Sequence, residues 1–100
     1  MFDMLRQAHA MKEKMKTFQE ELERLTFSAS TGNGAVAVVL NGKYEVQKVT
    51  LDPKVLQSGE VSKLEDLIQT AINEAGHQVK EKLKSEVSKL TGGLDLPGLF

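Results

Sequence analysis

Cysteine and tryptophan are missing from the 100 residues, tyrosine occurs once and proline twice. Without thiols the chain has no disulfides, no thiol nucleophile and no thiolate metal site. Aromatic side chains make up only 5% of the residues, too few for the stacking platforms that hold single-stranded nucleic acid. No stretch approaches the ~20 apolar residues that span a bilayer, and the opening MFDMLRQAHAMKEK lacks the apolar core of a secretory signal, so a cytoplasmic location is expected. Charge of one sign is also lacking: 13 Lys and Arg stand against 14 Asp and Glu, a net −1. The total therefore advertises neither nucleic acid nor an anionic membrane as a partner. What remains is one domain with a modest core and little stability to spare.

Two periodic segments flank a β-prone middle. From Asp3 to Leu25 the apolar residues Met4, Ala8, Met11, Met15, Phe18, Leu22 and Leu25 follow steps of 4, 3, 4, 3, 4 and 3. Good helix formers lie between them, with neither Gly nor Pro, so this spacing predicts a helix capped by Asp3 with a heptad seam. Three methionines make the seam adaptable. TFSAST, AVAVVL and KYEVQKVTL then read as three strands of an antiparallel meander, punctuated by Gly32-Asn33-Gly34 and Asn41-Gly42. Asn41-Gly42 predicts a two-residue type I′ hairpin. Val36, Val38 and Leu40 share a face, while the phase change between Val46 and Val49 predicts a bulge or a strand covered on both faces. Asp52-Pro53 stops the third strand, and residues 54–58 make one helical turn ended by Gly59.

The second helix is expected from Ser62 to Leu90, with Ser62 and Glu65 spaced as a capping box. Its stripe is Leu64, Ile68, Ile72, Ala75, Val79, Leu83, Val87 and Leu90, reinforced near its start by Leu67 and Ala71, and Gly76 marks a point of close packing or bending. Residues 1–90 thus form one α+β domain: a long helix, a three-stranded antiparallel meander, a short turn of helix and a long helix. Residues 91–100, rich in Gly, Leu and Pro, make an apolar, mobile tail. At 1.5 Å per residue the helices reach about 33 and 42 Å, whereas a compact chain of this length has a radius of gyration near ~13 Å. Three short strands do not cover both helices. The helices are expected to project from a small body and to bury their seams against each other and a second copy, as a homodimer.

The catalytic inventory is empty. His9 with Glu13 and His77 with Glu81 share helical faces, but solvated pairs are the plain interpretation in the absence of further ligands. No nucleophile constellation or phosphate loop is present, so no enzyme activity, metal or cofactor is expected. Charge arrangement says more than its sum. Arg6, Lys12, Lys14 and Lys16 make the start of the first helix basic, and Glu20, Glu21 and Glu23 make its end acidic. The last helix runs the opposite way, with Lys80, Lys82, Lys84 and Lys89 in its second half. Lysines near a helix C-terminus suit the macrodipole or flank an apolar stripe with their stems. The basic start of the first helix opposes its dipole and points to phosphate contact. If both helices project at their strand-linked ends, both basic halves sit at the tips.

The order of elements and their punctuation resemble the YbaB/EbfC family of small bacterial nucleoid-associated proteins over nearly the whole chain. The likeness rests on Met4, Ala8, Met11 and Met15, on Val36 to Leu40 with Asn41-Gly42, and on Leu51-Asp52-Pro53. It rests further on Leu64-Glu65-Asp66-Leu67-Ile68 with Ala71, Asn73 and Ala75, and on Leu90-Thr91-Gly92-Gly93 with Leu96-Pro97-Gly98. The resemblance implies a tweezer-like homodimer in the nucleoid that binds duplex DNA through its two long helices with little sequence preference, helping to organise the nucleoid and influence gene expression. Those helices carry Arg6, Lys12, Lys14, Lys16, Lys80, Lys82, Lys84 and Lys89, expected to contact phosphate. Met4, Ala8, Met11, Met15 and Phe18 are expected at the dimer interface. A protein-interaction adaptor, docking partners through the helix seams and the LDLPGLF tail, is the rival expectation, and membrane binding is disfavoured by the mixed polar faces.

Overall fold

The computed structural model of the protein describes residues 2–90; the tail expected over 91–100 lies outside the described residues. The elements follow the order α1 (Phe2–Arg24), β1 (Thr26–Thr31), β2 (Val36–Asn41), β3 (Val46–Leu51), α2 (Pro53–Gln57) and α3 (Val61–Leu90). The strands form one antiparallel sheet in the order β1-β2-β3, so the expected architecture is the observed one.

The core is a single layer between the sheet and α3. Alternation along β2 sends Val36, Val38 and Leu40 inward, all but fully buried. Ala71, Ala75 and Val79, four residues apart on one face of α3, meet them there. Small side chains let the helix axis approach the sheet closely, and Phe27, Ala29, Leu51, Leu64, Leu67, Ile68, Ile72 and Leu83 fill the margins. Two hydrogen bonds fasten α3 over β1: Thr31 Oγ1 donates to the Leu67 carbonyl at 2.8 Å, and Gln78 Nε2 to the Ser28 carbonyl at 3.0 Å. The opposite face of the sheet is largely polar, with Ser28 beside Val39 and Lys48, and Ser30 beside Ala37 and Thr50.

The turns explain themselves locally, though not all as expected. Gly32, Asn33 and Gly34 take positive φ in succession (62°, 56° and 88°), a path open to Gly and tolerated by Asn. Asp52 caps α2 by accepting from the Lys54 amide at 3.0 Å, with Pro53 at the first helical position. The phase change in β3 is a bulge: Val39 faces Lys48 but Leu40 faces Val46, leaving Gln47 as the extra residue.

Four local expectations are corrected. The β2–β3 turn is not type I′: Asn41 and Gly42 lie outside the positive-φ region, and Tyr44 (φ 63°) supplies the left-handed residue instead. The Asn41 amide donates to the Glu45 carbonyl and the Tyr44 amide to the Asn41 carbonyl, a three-residue loop closing on a bulge. α1 begins at Phe2, so Asp3 sits in the first turn rather than at the cap, where its charge still favours the dipole. α3 begins at Val61, with the Leu64 amide donating to the Glu60 carbonyl, which places Ser62 inside the first turn and removes the capping box. Among the described residues nothing lies within 4 Å of where a Cβ on Gly76 would stand, so of the two roles expected there close packing is not met.

The molecule is elongated, measuring 67 × 23 × 16 Å with a radius of gyration of 18.6 Å. A compact chain of this length would be near ~13 Å. The two helices contribute unequally to that length. α3 does not project at its strand-linked end as expected, because its small-residue stripe beds it on the sheet from Leu64 to Leu83. α1 does project: every residue from Phe2 to Thr17 is exposed, and Leu22 is its one buried residue.

Candidate nucleic-acid interface

α1 is a cationic arm. Its helix is sustained largely by residue choice, since every described residue before Phe18 is exposed. Counting back from the buried Leu22 at 1.5 Å per residue puts Lys16, Lys12 and Arg6 about 9, 15 and 24 Å out along the axis. Arg6, Lys12, Lys14 and Lys16 are all exposed. Among the described residues none of the four has a carboxylate within ion-pair distance. At about 100° per residue, Lys14 stands on one side of the methionine seam and Lys12 and Lys16 on the other, while Arg6 occupies the far face. Among the described residues nothing covers the outer seam, with Met4 75%, Met11 62% and Met15 46% exposed.

The basic half of α3 starts where the sheet ends. Val79 is the last fully buried residue of the helix, and Lys80 and Lys84 follow on its exposed side. Lys82 and Lys89 lie about 160–200° around the axis from Lys80. Both reach Glu86, at 3.1 and 3.4 Å, and the hydrogen bond from Lys82 first, then that from Lys89 and the charges of both, hold its carboxyl below the usual range. The two pairs are therefore not equivalent. Lys80 and Lys84 are without ion pairs among the described residues, whereas Lys82 and Lys89 share one carboxylate.

The base of the arm shares a groove with the basic half of α3. Phe18, Leu22 and Leu25 line a shallow groove of about 300 Å³ with Lys82 and Glu86. Lys80 faces a different groove, with Leu40, Tyr44, Ile72 and Gly76. The structure thus brings Lys82 near α1, keeps Lys80 away from it, and leaves Arg6, Lys12 and Lys14 isolated on the arm. His77 lies 3.9 Å from Glu81 as an exposed pair; among the described residues no group of three or more His, Cys, Asp or Glu is placed to hold a metal. Ammonium and guanidinium groups on long stems, free of carboxylates, are equipped to pair with phosphate.

Sequence reasoning missed the elbow where the arm joins the body. Leu22 is buried, the Gly42 amide donates to its carbonyl at 2.8 Å, and Lys43 Nζ meets Glu23 Oε1 at 2.8 Å. That hydrogen bond and ion pair lower the Glu23 carboxyl and raise the Lys43 ammonium from their ordinary values. Asn41, 4% exposed, shapes the turn: its Oδ1 accepts from the Lys43 and Glu45 amides, and its Nδ2 donates to Glu45 Oε1. The Asn41-Gly42 dipeptide marked the place but suggested the wrong service.

A helix bedded on a three-stranded antiparallel sheet and a projecting basic arm define a small α+β protein that presents exposed cations. The chain belongs to the YbaB/EbfC DNA-binding family, whose match runs over residues 1–94. This is a family of DNA-binding proteins and not of enzymes. A nucleoid-associated protein of Thermoanaerobacter sp. (strain X514) is 42% identical over 98 residues, covering 98% of this chain and 88% of its own. A nucleoid-associated protein of Clostridium kluyveri is 40% identical over 100 residues, covering 100% and 88%. The crystal structure of the uncharacterised protein HP0035 from Helicobacter pylori shares the fold, with a TM-score of 0.76 at 20% identity over 88% of this chain and 92% of that one.

Proposed function

We propose that the protein is a nucleoid-associated homodimer that holds duplex DNA through phosphate contacts, with little sequence preference, and so helps organise the nucleoid and influence gene expression. One observation carries this: an arm whose cations Arg6, Lys12, Lys14 and Lys16 are exposed and without ion pairs among the described residues, on a helix the body does not cover. The family supplies DNA as the partner. Lys80, Lys82, Lys84 and Lys89 contribute from α3. The seam Met4, Ala8, Met11, Met15 and Phe18 is the surface that a second copy would cover, since water-exposed methionine rows are costly to leave bare. The names of the relatives support a nucleoid location in the cytoplasm.

Binding of this kind is driven by counterion release, so log K falls by about 0.9 per unit of log salt for each phosphate neutralised. Gel shifts of the full chain on unrelated duplexes at several salt concentrations test it. Replacing Lys80, Lys82 and Lys84 by Ala should weaken all duplexes alike and flatten the salt slope while the dimer persists. Unchanged affinity in that variant would remove α3 from the interface, and unchanged affinity after replacing Arg6, Lys12, Lys14 and Lys16 as well would overturn the proposal.

An adaptor role has a specific observation in its favour. Tyr44 in the β2–β3 turn and Val46 and Val49 on β3, across from Leu40 and Val38, are 46–48% exposed. Recovery of a defined protein partner after nuclease treatment, insensitive to salt, would favour that alternative.

A further inference from the structure

A DNA-holding arm is useful only if its direction is fixed, and one small feature fixes this one. The last four carbonyls of a helix have no partner within it. In α1 the Glu21 carbonyl is taken by the Leu25 amide at 3.1 Å, and the Leu22 carbonyl by the amide of Gly42, twenty residues away in the β2–β3 turn. The turn therefore caps the arm from the body side.

Gly42 is there for space and not for conformational freedom, since its φ is not positive. A Cβ at this position would lie 2.6 Å from the Leu22 carbonyl oxygen and 3.0 Å from Leu22 Cα and Cβ. All three are at the helix itself, so no flexible side chain can yield. Any larger residue must push α1 away from β2. Displacement at the base is magnified along the arm, because Arg6 stands about 24 Å from Leu22.

The remaining contacts at the joint are few. Leu22 is the one buried side chain of α1, and it lies outside the cluster that unites the sheet with α3. Lys43 and Glu23 add an exposed ion pair, a class of contact that is screened and weak. Asn41 holds the turn in the shape that presents both the Gly42 amide and Lys43 to the helix.

We infer that Gly42 and Leu22 are positioning residues for DNA binding: together they form a rigid elbow that sets the angle of the cationic arm, and with it the phosphates the arm reaches. This rests on the proposed function for its consequence, and on geometry alone for its mechanism.

The lack of native cysteine permits a direct test on the full chain. Spin labels at Gln7→Cys on the arm and Thr50→Cys on β3, in labelled chain diluted into excess unlabelled chain, report the arm-to-body distance within one copy. The parent should give one narrow distance. Gly42→Ala should shift or broaden it and weaken duplex binding roughly tenfold, as expected when a few phosphate contacts are lost, with a flatter salt slope. Leu22→Ala, which spares the sheet–α3 core, should do the same if Gly42→Ala does not fold. Leu22→Met should restore both readouts to within about twofold, because volume-conserving swaps are tolerated. Unmoved distances in Gly42→Ala and Leu22→Ala would overturn the elbow. A displaced arm with full affinity would overturn its role in binding. Loss of all eight cations without effect on binding would overturn the proposed function instead, and the distance measurement decides the elbow independently.

Discussion

Asn41 shows how much of the architecture hangs on a single polar side chain. It is buried, and both ends of its amide are satisfied within the turn. Asn41→Ala leaves the Lys43 and Glu45 amides without their acceptor, and a urea titration should show a loss of about 1–3 kcal/mol. Leu40, 2% exposed at the centre of the core, should cost about 2–5 kcal/mol as Ala in the same measurement. The Glu23 carboxyl titrates below its ordinary 4.5 because Lys43 donates to it and stands beside it. A folded-state value below the unfolded one means its contribution is present above that ordinary range and is lost as pH falls through the lowered value. An NMR titration of the Glu23 side chain should show the midpoint rising toward 4.5 in Lys43→Met.

At the scale of elements, the periodic segments were legible and the joints were not. The 3.6-residue and two-residue periods of α3 and β2 report burial directly, so Ala71, Ala75, Val36 and Val38 could be placed on facing sides from spacing. The stripe of small residues predicts sensitivity to volume: Ala75→Leu should force α3 off β2 and lower stability by about 1–3 kcal/mol in chemical denaturation. Asn41-Gly42 misled because the dipeptide suits a type I′ turn locally, whereas tertiary demand set the outcome: Gly42 is needed where Leu22 approaches. As a point of close packing Gly76 misled in the opposite direction, since among the described residues nothing occupies the space its missing side chain leaves. The basic arm was visible as charge that opposes the helix dipole. Its elbow was not, because a backbone hydrogen bond across twenty residues leaves no periodic trace.

For the whole molecule, one layer of core supports a body that is only part of its length. Light scattering should give twice the chain mass for the parent, and Met11→Lys with Met15→Lys, charges set into the seam, should give the monomer with the sheet–α3 core still folded. Raising salt should weaken DNA binding steeply without altering that mass, because the seam is apolar and the DNA contact ionic. The thin attachment of the arm has a consequence for how such a protein changes over generations. Residues Phe2 to Thr17 are all exposed, so exchanges among their surface charges fall outside the constraints that packing places on Val36, Ala75 or Val79. On the proposed function, grip on DNA is thereby open to adjustment, residue by residue, in a stretch where helix propensity and the methionine seam are the main conditions to satisfy. Selection can tune one property of this chain almost independently of its foldability.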